Sequence, residues 1–138
     1  MIIHLKRNEK LYLNGAVIRL DRRGTVELLN DADFLLENHI MQPESASTPL
    51  RRLYFIVQAM LMDPKDSHLL RELFKLNMLQ VKQLATGNSY LHMLGQVEYR
   101  VLDGKFFEAM KTIRQSYHLE QEAEALEPES VERSEVAA

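Results

Sequence analysis

The sequence of 138 residues contains no cysteine and no tryptophan, and only five glycines and four prolines. Without cysteine the chain forms no disulfide and no thiolate metal site, which is typical of a protein in a reducing compartment. No apolar stretch approaches the roughly 20 residues that a membrane-spanning helix needs. The N-terminal apolar run is short and precedes its basic residues, whereas a signal peptide carries its charges first. We therefore expect a cytoplasmic protein with no membrane partner.

Motifs of catalysis and cofactor binding are also missing. The sequence contains neither a glycine-rich phosphate loop nor the His-Glu-x-x-His pattern of zinc hydrolases. Its serines lie in linkers, beside helix caps or in the acidic C-terminal region, and its histidines stand singly along the chain. We expect no enzyme activity, no metal and no cofactor. The histidines are His4, His39, His68, His92 and His118.

Residues 1–41 show the alternation of apolar and polar side chains that is typical of β-strands. The clearest signal is Asn14-Gly15 between two alternating segments, because a type I′ hairpin turn needs positive φ at both central residues. We predict about five short antiparallel strands, arranged as a meander or a small open barrel, although 33–40 is also compatible with a helix. The polar residues 42–47 then form a linker. The N-terminal unit is thus a β lobe at 1–47.

Residues 48–118 show helical periodicity. Thr48-Pro49 begins the first helix, because threonine is a good helix cap and proline suits the first helical position. This helix, 49–62, is apolar nearly all round, which indicates either a core helix or a contact with an oligomer or partner. Three more helices are predicted, from Asp66 or Ser67 to near Gly87, then at about 89–102 and 105–118, with an extension of the last one to about Leu126 as the alternative. The fold class is therefore α+β, followed by an acidic tail at 119–138 that we expect to be disordered.

The net charge of −3 conceals opposite charges at the two ends of the chain. Residues 1–23 carry six basic and two acidic side chains, a net of +4, whereas 119–138 carry one basic and seven acidic, a net of −6. A cationic β surface with an aromatic side chain can bind single-stranded RNA, with phosphates on the cations and a base stacked on the ring. An ordinary solvated surface is the alternative. The candidate RNA-binding residues are Lys6, Arg7, Lys10, Tyr12, Arg19, Arg22 and Arg23, joined by Arg51 and Arg52 if the start of helix 49–62 faces the β lobe.

One helix resembles the characteristic helix of the FlbT family of bacterial flagellum biosynthesis repressors. It reads Thr48-Pro49-Leu50-Arg51-Arg52-Leu53-Tyr54-Phe55-Ile56-Val57-Gln58-Ala59-Met60. The spacing Thr-Pro-x-x-x-x-Tyr-x-x-x-Gln makes the resemblance specific, because no general rule of helix formation requires it. Residues 14–22 and 34–39 are similar to the N-terminal region of that family, and 104–114 to its last helix.

The resemblance implies a post-transcriptional regulator that binds the 5′ untranslated region of flagellin messenger RNA. Such a protein represses flagellin synthesis by promoting decay of the message or by blocking its translation, and the alternative direction is promotion of flagellar expression, as in some members of the family. Residues 5–15 also resemble the first strands of the carbon storage regulator family, small β dimers that bind messenger RNA leaders. The alternative function is an adaptor that binds flagellin, a flagellin chaperone or another flagellar regulator. We expect a homo-oligomer in either case.

Overall fold

The computed structural model describes residues 1–63, 65 and 67–125. Its described part is an α+β fold in which antiparallel strands precede the helices, as the sequence predicts. The strands are β1 (Ile2–Leu5), β2 (Lys10–Leu13), β3 (Ala16–Arg19), β4 (Gly24–Glu27) and β5 (Phe34–Leu36). The helices are α1 (Pro49–Met62), α2 (Ser67–Leu84), α3 (Gly87–Leu102), α4 (Phe106–Arg114) and α5 (117–125).

The strands form two separate antiparallel sheets, one of β1 and β4 and one in the order β3-β2-β5. The predicted hairpin joins β2 to β3, with φ values of 45° at Asn14 and 90° at Gly15. The predicted meander is wrong, because β1 pairs with β4 and not with its sequence neighbour β2. A tight turn at 6–9, with Asn8 at a φ of 62°, redirects the chain between these two strands. The alternative of a helix at 33–40 is also wrong, since this range contains β5 and then only a single 3-10 turn at Glu37–His39.

Helix α1 is the centre of the molecule. Its buried side chains lie on several faces, and they pack with residues of α2, α3 and α4 in one hydrophobic core. The nearly uniform apolar character of this helix therefore reflects burial against several neighbours. The alternative interpretation of α1 as an oligomer or partner contact loses its basis. The buried residues of α1 are Leu50, Leu53, Tyr54, Val57, Gln58, Met60 and Leu61.

The last predicted helix is divided in two. Residues 115 and 116 form a turn, and α5 begins at 117 instead of continuing α4. The hydroxyl of Ser116 donates to the carbonyl oxygen of Thr112 at 2.7 Å, and the Ser116 amide donates to Ile113 at 2.9 Å. A serine that binds backbone in this way competes with the regular helical ladder.

The described beginning of the predicted acidic tail is folded. Residues 119–125 belong to α5, and the side chains of Glu120 and Ala123 are buried. The predicted tail boundary at 119 is therefore too early, and 126–138 lie outside the described residues. Within the described ranges, no helix is both long and apolar enough to cross a membrane.

The β lobe and the helices share buried surface. Tyr12 and Leu35, on neighbouring strands of the three-stranded sheet, are buried in the same core as α1. The rings of Phe34 and Phe107 lie 5.3 Å apart between their centroids, which joins β5 to α4. The polypeptide therefore folds with one continuous apolar contact between its two lobes.

Candidate nucleic-acid interface

Two turns lie side by side at one end of the β lobe. The first, 6–9, joins β1 to β2, and the second, 20–23, joins β3 to β4. They are adjacent because Leu5 pairs with Gly24 and Lys10 pairs with Arg19 in the two sheets. The amide of Asn8 also donates to the carbonyl oxygen of Leu20 at 2.9 Å. We call the exposed cations on and beside these turns the basic turn surface: Lys6, Arg7, Lys10, Arg19, Arg22 and Arg23.

The basic turn surface keeps most of its positive charge available. Its acidic neighbours are Glu9 and Asp21 in the turns and Glu37, whose carboxylate accepts from the Lys10 backbone amide at 3.1 Å. The Glu9 carboxylate accepts a hydrogen bond from the Lys6 backbone amide at 3.0 Å. Asp21 lies 4.0 Å from Arg22, but both side chains are about 90% exposed, at 90% and 88%, so solvent screens the pair. Six cations against these three acids leave a net of +3 that can attract phosphates.

Tyr12 does not belong to this surface. Its side chain is only 6% exposed, and its hydroxyl donates to the carbonyl oxygen of Met62 at 3.3 Å. A nucleobase cannot stack on a ring that is packed into the protein core. The sequence prediction of Tyr12 as a stacking residue is therefore wrong. The alternation along β2 does not decide this point, because the burial of Tyr12 depends on packing against α1.

Arg51 and Arg52 have no described contact with the basic turn surface. Tyr12 meets α1 at its C-terminal end, whereas these arginines are in its first turn, about 15 Å along the helix axis at 1.5 Å per residue. The guanidinium of Arg51 stacks on the ring of Tyr117, 4.3 Å from its centroid. Arg52 is exposed. Their part in the RNA track therefore stays a prediction.

Arg51 instead belongs to a polar junction that sequence reasoning missed. The Tyr54 hydroxyl donates to the carbonyl oxygen of His39 at 2.5 Å and accepts from the guanidinium of Arg114 at 3.2 Å. Burial and the neighbouring Tyr54 raise the pKa of Tyr117 to about 12, and burial and the charge of Arg114 lower the pKa of His39. Both shifts favour the neutral forms of Tyr117 and His39 at neutral pH. The junction therefore joins segments of the chain through hydrogen bonds and packing.

Comparison with known proteins identifies the family. The sequence model of the family described as "Flagellar protein FlbT" matches residues 1–123. The chain belongs to the FlbT family. This confirms the resemblance that residues of α1, β3, β5 and α4 carry.

Several relatives are more than 40% identical to this chain over the aligned residues. It is 46% identical over 121 residues to the "Probable flagellum biosynthesis repressor protein FlbT" of Mesorhizobium japonicum, covering 88% of this chain and 82% of the relative. The protein of the same name from a Chelativorans species is 46% identical, over 87% of this chain and 83% of the relative. That of Agrobacterium fabrum is 42% identical, over 86% of this chain and 80% of the relative. No solved structure matches the chain.

The characteristic spacing of the FlbT helix has a structural explanation here. Thr48 caps α1, since its side-chain oxygen accepts from the Arg51 amide at 3.2 Å. Gln58 is buried and binds both backbone groups of Met41, accepting from its amide at 2.7 Å and donating to its carbonyl at 3.0 Å. With the Tyr54 contact to His39, these side chains fix the segment that connects the two lobes. One residue of this spacing therefore caps α1, and the other two bind the segment that connects the β lobe to α1.

The described part of this FlbT chain offers little for catalysis or metal binding. Among residues 1–63, 65 and 67–125, no group of three or more histidine, aspartate or glutamate side chains is placed to hold a metal ion. An open groove of about 740 Å³ lies beside the hairpin turn, lined by Asn14, Asp33, Phe34, Lys105 and Phe107 among others. The hairpin turn is at the opposite end of β2 from Lys10, so this groove is not part of the basic turn surface.

Proposed function

We propose that this protein regulates flagellum biosynthesis by binding the 5′ untranslated region of flagellin messenger RNA through the basic turn surface. The relatives' name, flagellum biosynthesis repressor, supports the regulatory role and the direction of the effect. The observation that carries the RNA proposal is the pairing of two turns, with six exposed cations on and beside them. In this proposal the protein acts in the cytoplasm, where the message is translated.

The chemistry of the proposed contact is electrostatic. Arginine guanidinium groups bind phosphate oxygens in a bidentate manner, and four of the six cations are arginines. Lys6 and Lys10 add point charges beside them. Because Tyr12 is buried, it cannot stack on a base of the RNA. The proposed affinity therefore depends on contacts between the cations and the phosphates. The protein supplies no catalytic step, so repression follows from blocked translation or from decay by the ribonucleases of the cell.

The test is a mobility-shift titration of the protein against the flagellin leader RNA of its own host, with a shuffled leader as the control. We expect specific binding to the leader that weakens steeply between low and high salt, since each phosphate contact releases counterions. Equal binding to both RNAs, or none, would remove the RNA proposal. The adaptor hypothesis would then be examined by co-purification with flagellin and flagellin chaperones.

A charge-reversed variant locates the contact on the basic turn surface. The double substitution Arg22→Glu and Arg23→Glu should weaken binding by about tenfold or more and lower the slope of log affinity against log salt by about two. The matched control reverses two exposed cations on the helices, Arg71→Glu and Lys111→Glu. An equal effect of both double variants would indicate only general attraction between RNA and a cationic protein.

A further inference from the structure

The outer face of α2 exposes a row of leucines. The helix packs mainly against α1, into whose core it buries Phe74, Met78 and Val81. On the side of α2 away from that core, five leucine side chains are between 38% and 65% exposed. A leucine row on the solvent side of a helix that is already packed needs a separate explanation. The five are Leu69, Leu73, Leu76, Leu79 and Leu84.

We call these five residues the leucine face; three of them lie on a stripe with the spacing of a coiled-coil seam, and Leu79 and Leu84 flank it. Positions 69, 73, 76, 80 and 83 alternate by four and three residues, which places them in one stripe along the helix. The stripe is occupied by Leu69, Leu73 and Leu76 and then by Gln80 and Gln83, and it contains no charged side chain. Glu72, at its margin, is engaged with Lys75 at 3.5 Å. Lack of charge distinguishes the centre of an interface from ordinary surface.

We propose that a second copy of this chain covers the leucine face, so that two α2 helices pack side by side in parallel around a two-fold axis. The parallel arrangement places like against like: leucine layers meet leucine layers, and the glutamines of one copy meet the same glutamines of the other. It also brings Leu79 of each copy beside Leu84 of the other. An antiparallel pair would instead oppose Leu69 to Gln80. An uncharged stripe lets identical faces approach without repulsion.

The size of the face fits the centre of a dimer interface. Five half-exposed leucines form an apolar patch on the order of a few hundred Å², comparable to the largest patches on monomeric proteins. A stable interface buries about 800 Å² on each partner, so the leucines would supply its apolar centre and their polar neighbours its rim.

The chain's own C-terminal segment is a poorer occupant. Residues 126–138 contain Leu126, Val131 and Val136, separated by four glutamates. Covering the leucine face with this segment would bring several carboxylates against apolar surface, which costs free energy. A second copy meets the face with leucine instead.

The first test measures molar mass by light scattering and by sedimentation across a range of concentrations. We expect the mass of a dimer for the full chain. The double substitution Leu73→Glu and Leu76→Glu should give the monomer mass with unchanged helical circular dichroism, because both side chains are exposed. The matched control is Leu102→Glu on α3, where the leucine is 87% exposed and lies outside the face. A monomeric full chain, or a dimer that survives the double substitution, would overturn the proposal.

The second test uses the absence of cysteine. A single Gln80→Cys substitution in the parallel dimer places two thiols opposite each other, within the distance that a disulfide requires. Oxidation should therefore convert most of this variant to a covalent dimer, whereas the exposed Ser89→Cys control on α3 should remain uncrosslinked. If Gln80→Cys crosslinks only when mixed with Leu69→Cys, the pair is antiparallel and the parallel arrangement is wrong. Neither test involves RNA, so this proposal can fail independently of the proposed function.

Discussion

The N-terminus of α1 is completed by a residue from the other end of the chain. Pro49 has no amide hydrogen to satisfy, and the amides of Arg51 and Arg52 donate to the side chain and backbone of Thr48. The remaining amide, of Leu50, donates to the Glu120 carboxylate at 2.7 Å. The Thr48 hydroxyl donates to the same carboxylate. Every amide of the first turn therefore has a partner, and the negative charge also favours the positive end of the helix.

Replacing Glu120 by alanine should lower the free energy of unfolding by about 2 to 3 kcal/mol, because two hydrogen bonds to a buried carboxylate are lost and the Leu50 amide stays unpaired. Urea denaturation followed by circular dichroism measures the loss. Glu122→Ala, at an exposed position of the same helix, is the control and should change stability by less than about 0.5 kcal/mol. Equal losses in the two variants would mean that the cap contributes little.

At the scale of single residues, the sequence predicts the exposure of a side chain well in a cluster of charged residues. It predicts exposure poorly for a side chain whose contact partners are distant in sequence. The six cations on and beside the two turns are exposed, as expected. Glu120 looks like one of many solvated glutamates, since its partners are about 70 positions away. Tyr12 looks like a surface aromatic on a strand, since the helix end that buries it is 50 positions away.

At the scale of elements, local sequence signals predict where a strand or helix forms, whereas contacts between distant residues decide how the elements are arranged. Asn14-Gly15 specifies its hairpin and Thr48-Pro49 the start of α1, because both depend on backbone preferences of adjacent residues. The pairing of β1 with β4 depends on a turn at 6–9 whose residues carry no strong turn signal. The break at 115–116 depends on a serine that binds the preceding helical turn.

The segment that connects β5 to α1 is held by Gln58. We expect Gln58→Met to speed amide hydrogen exchange at Met41 and its neighbours by at least about tenfold, because methionine keeps the volume but neither donates to nor accepts from the Met41 backbone. The core amides of α1 should stay protected. Gln96→Met, at an exposed position on α3, is the control. Unchanged exchange at Met41 would show that other contacts hold the connection.

At the scale of the whole molecule, the two lobes are joined through a shared core rather than through the connecting segment alone. Phe107 packs against buried residues of both hydrophobic clusters, the one that contains α1 and the one formed by Ile3, Leu5, Leu11 and Phe34. Chains of this size with continuous apolar packing usually unfold in a single cooperative transition. The lobes seen in the sequence would then be parts of one folding unit.

Phe107→Ala tests whether the lobes fold together. We expect the substitution to lower stability by about 2 to 3 kcal/mol, somewhat less than for a fully buried phenylalanine because the ring is half-buried. Amide exchange in urea should show the same loss of free energy in the β1–β4 sheet and in α3, since both depend on the shared core. Leu102→Ala, which removes an exposed side chain, should change neither. A loss confined to the β lobe, with α3 still protected as in the unmodified chain, would mean that the β lobe and the helices are separate cooperative units.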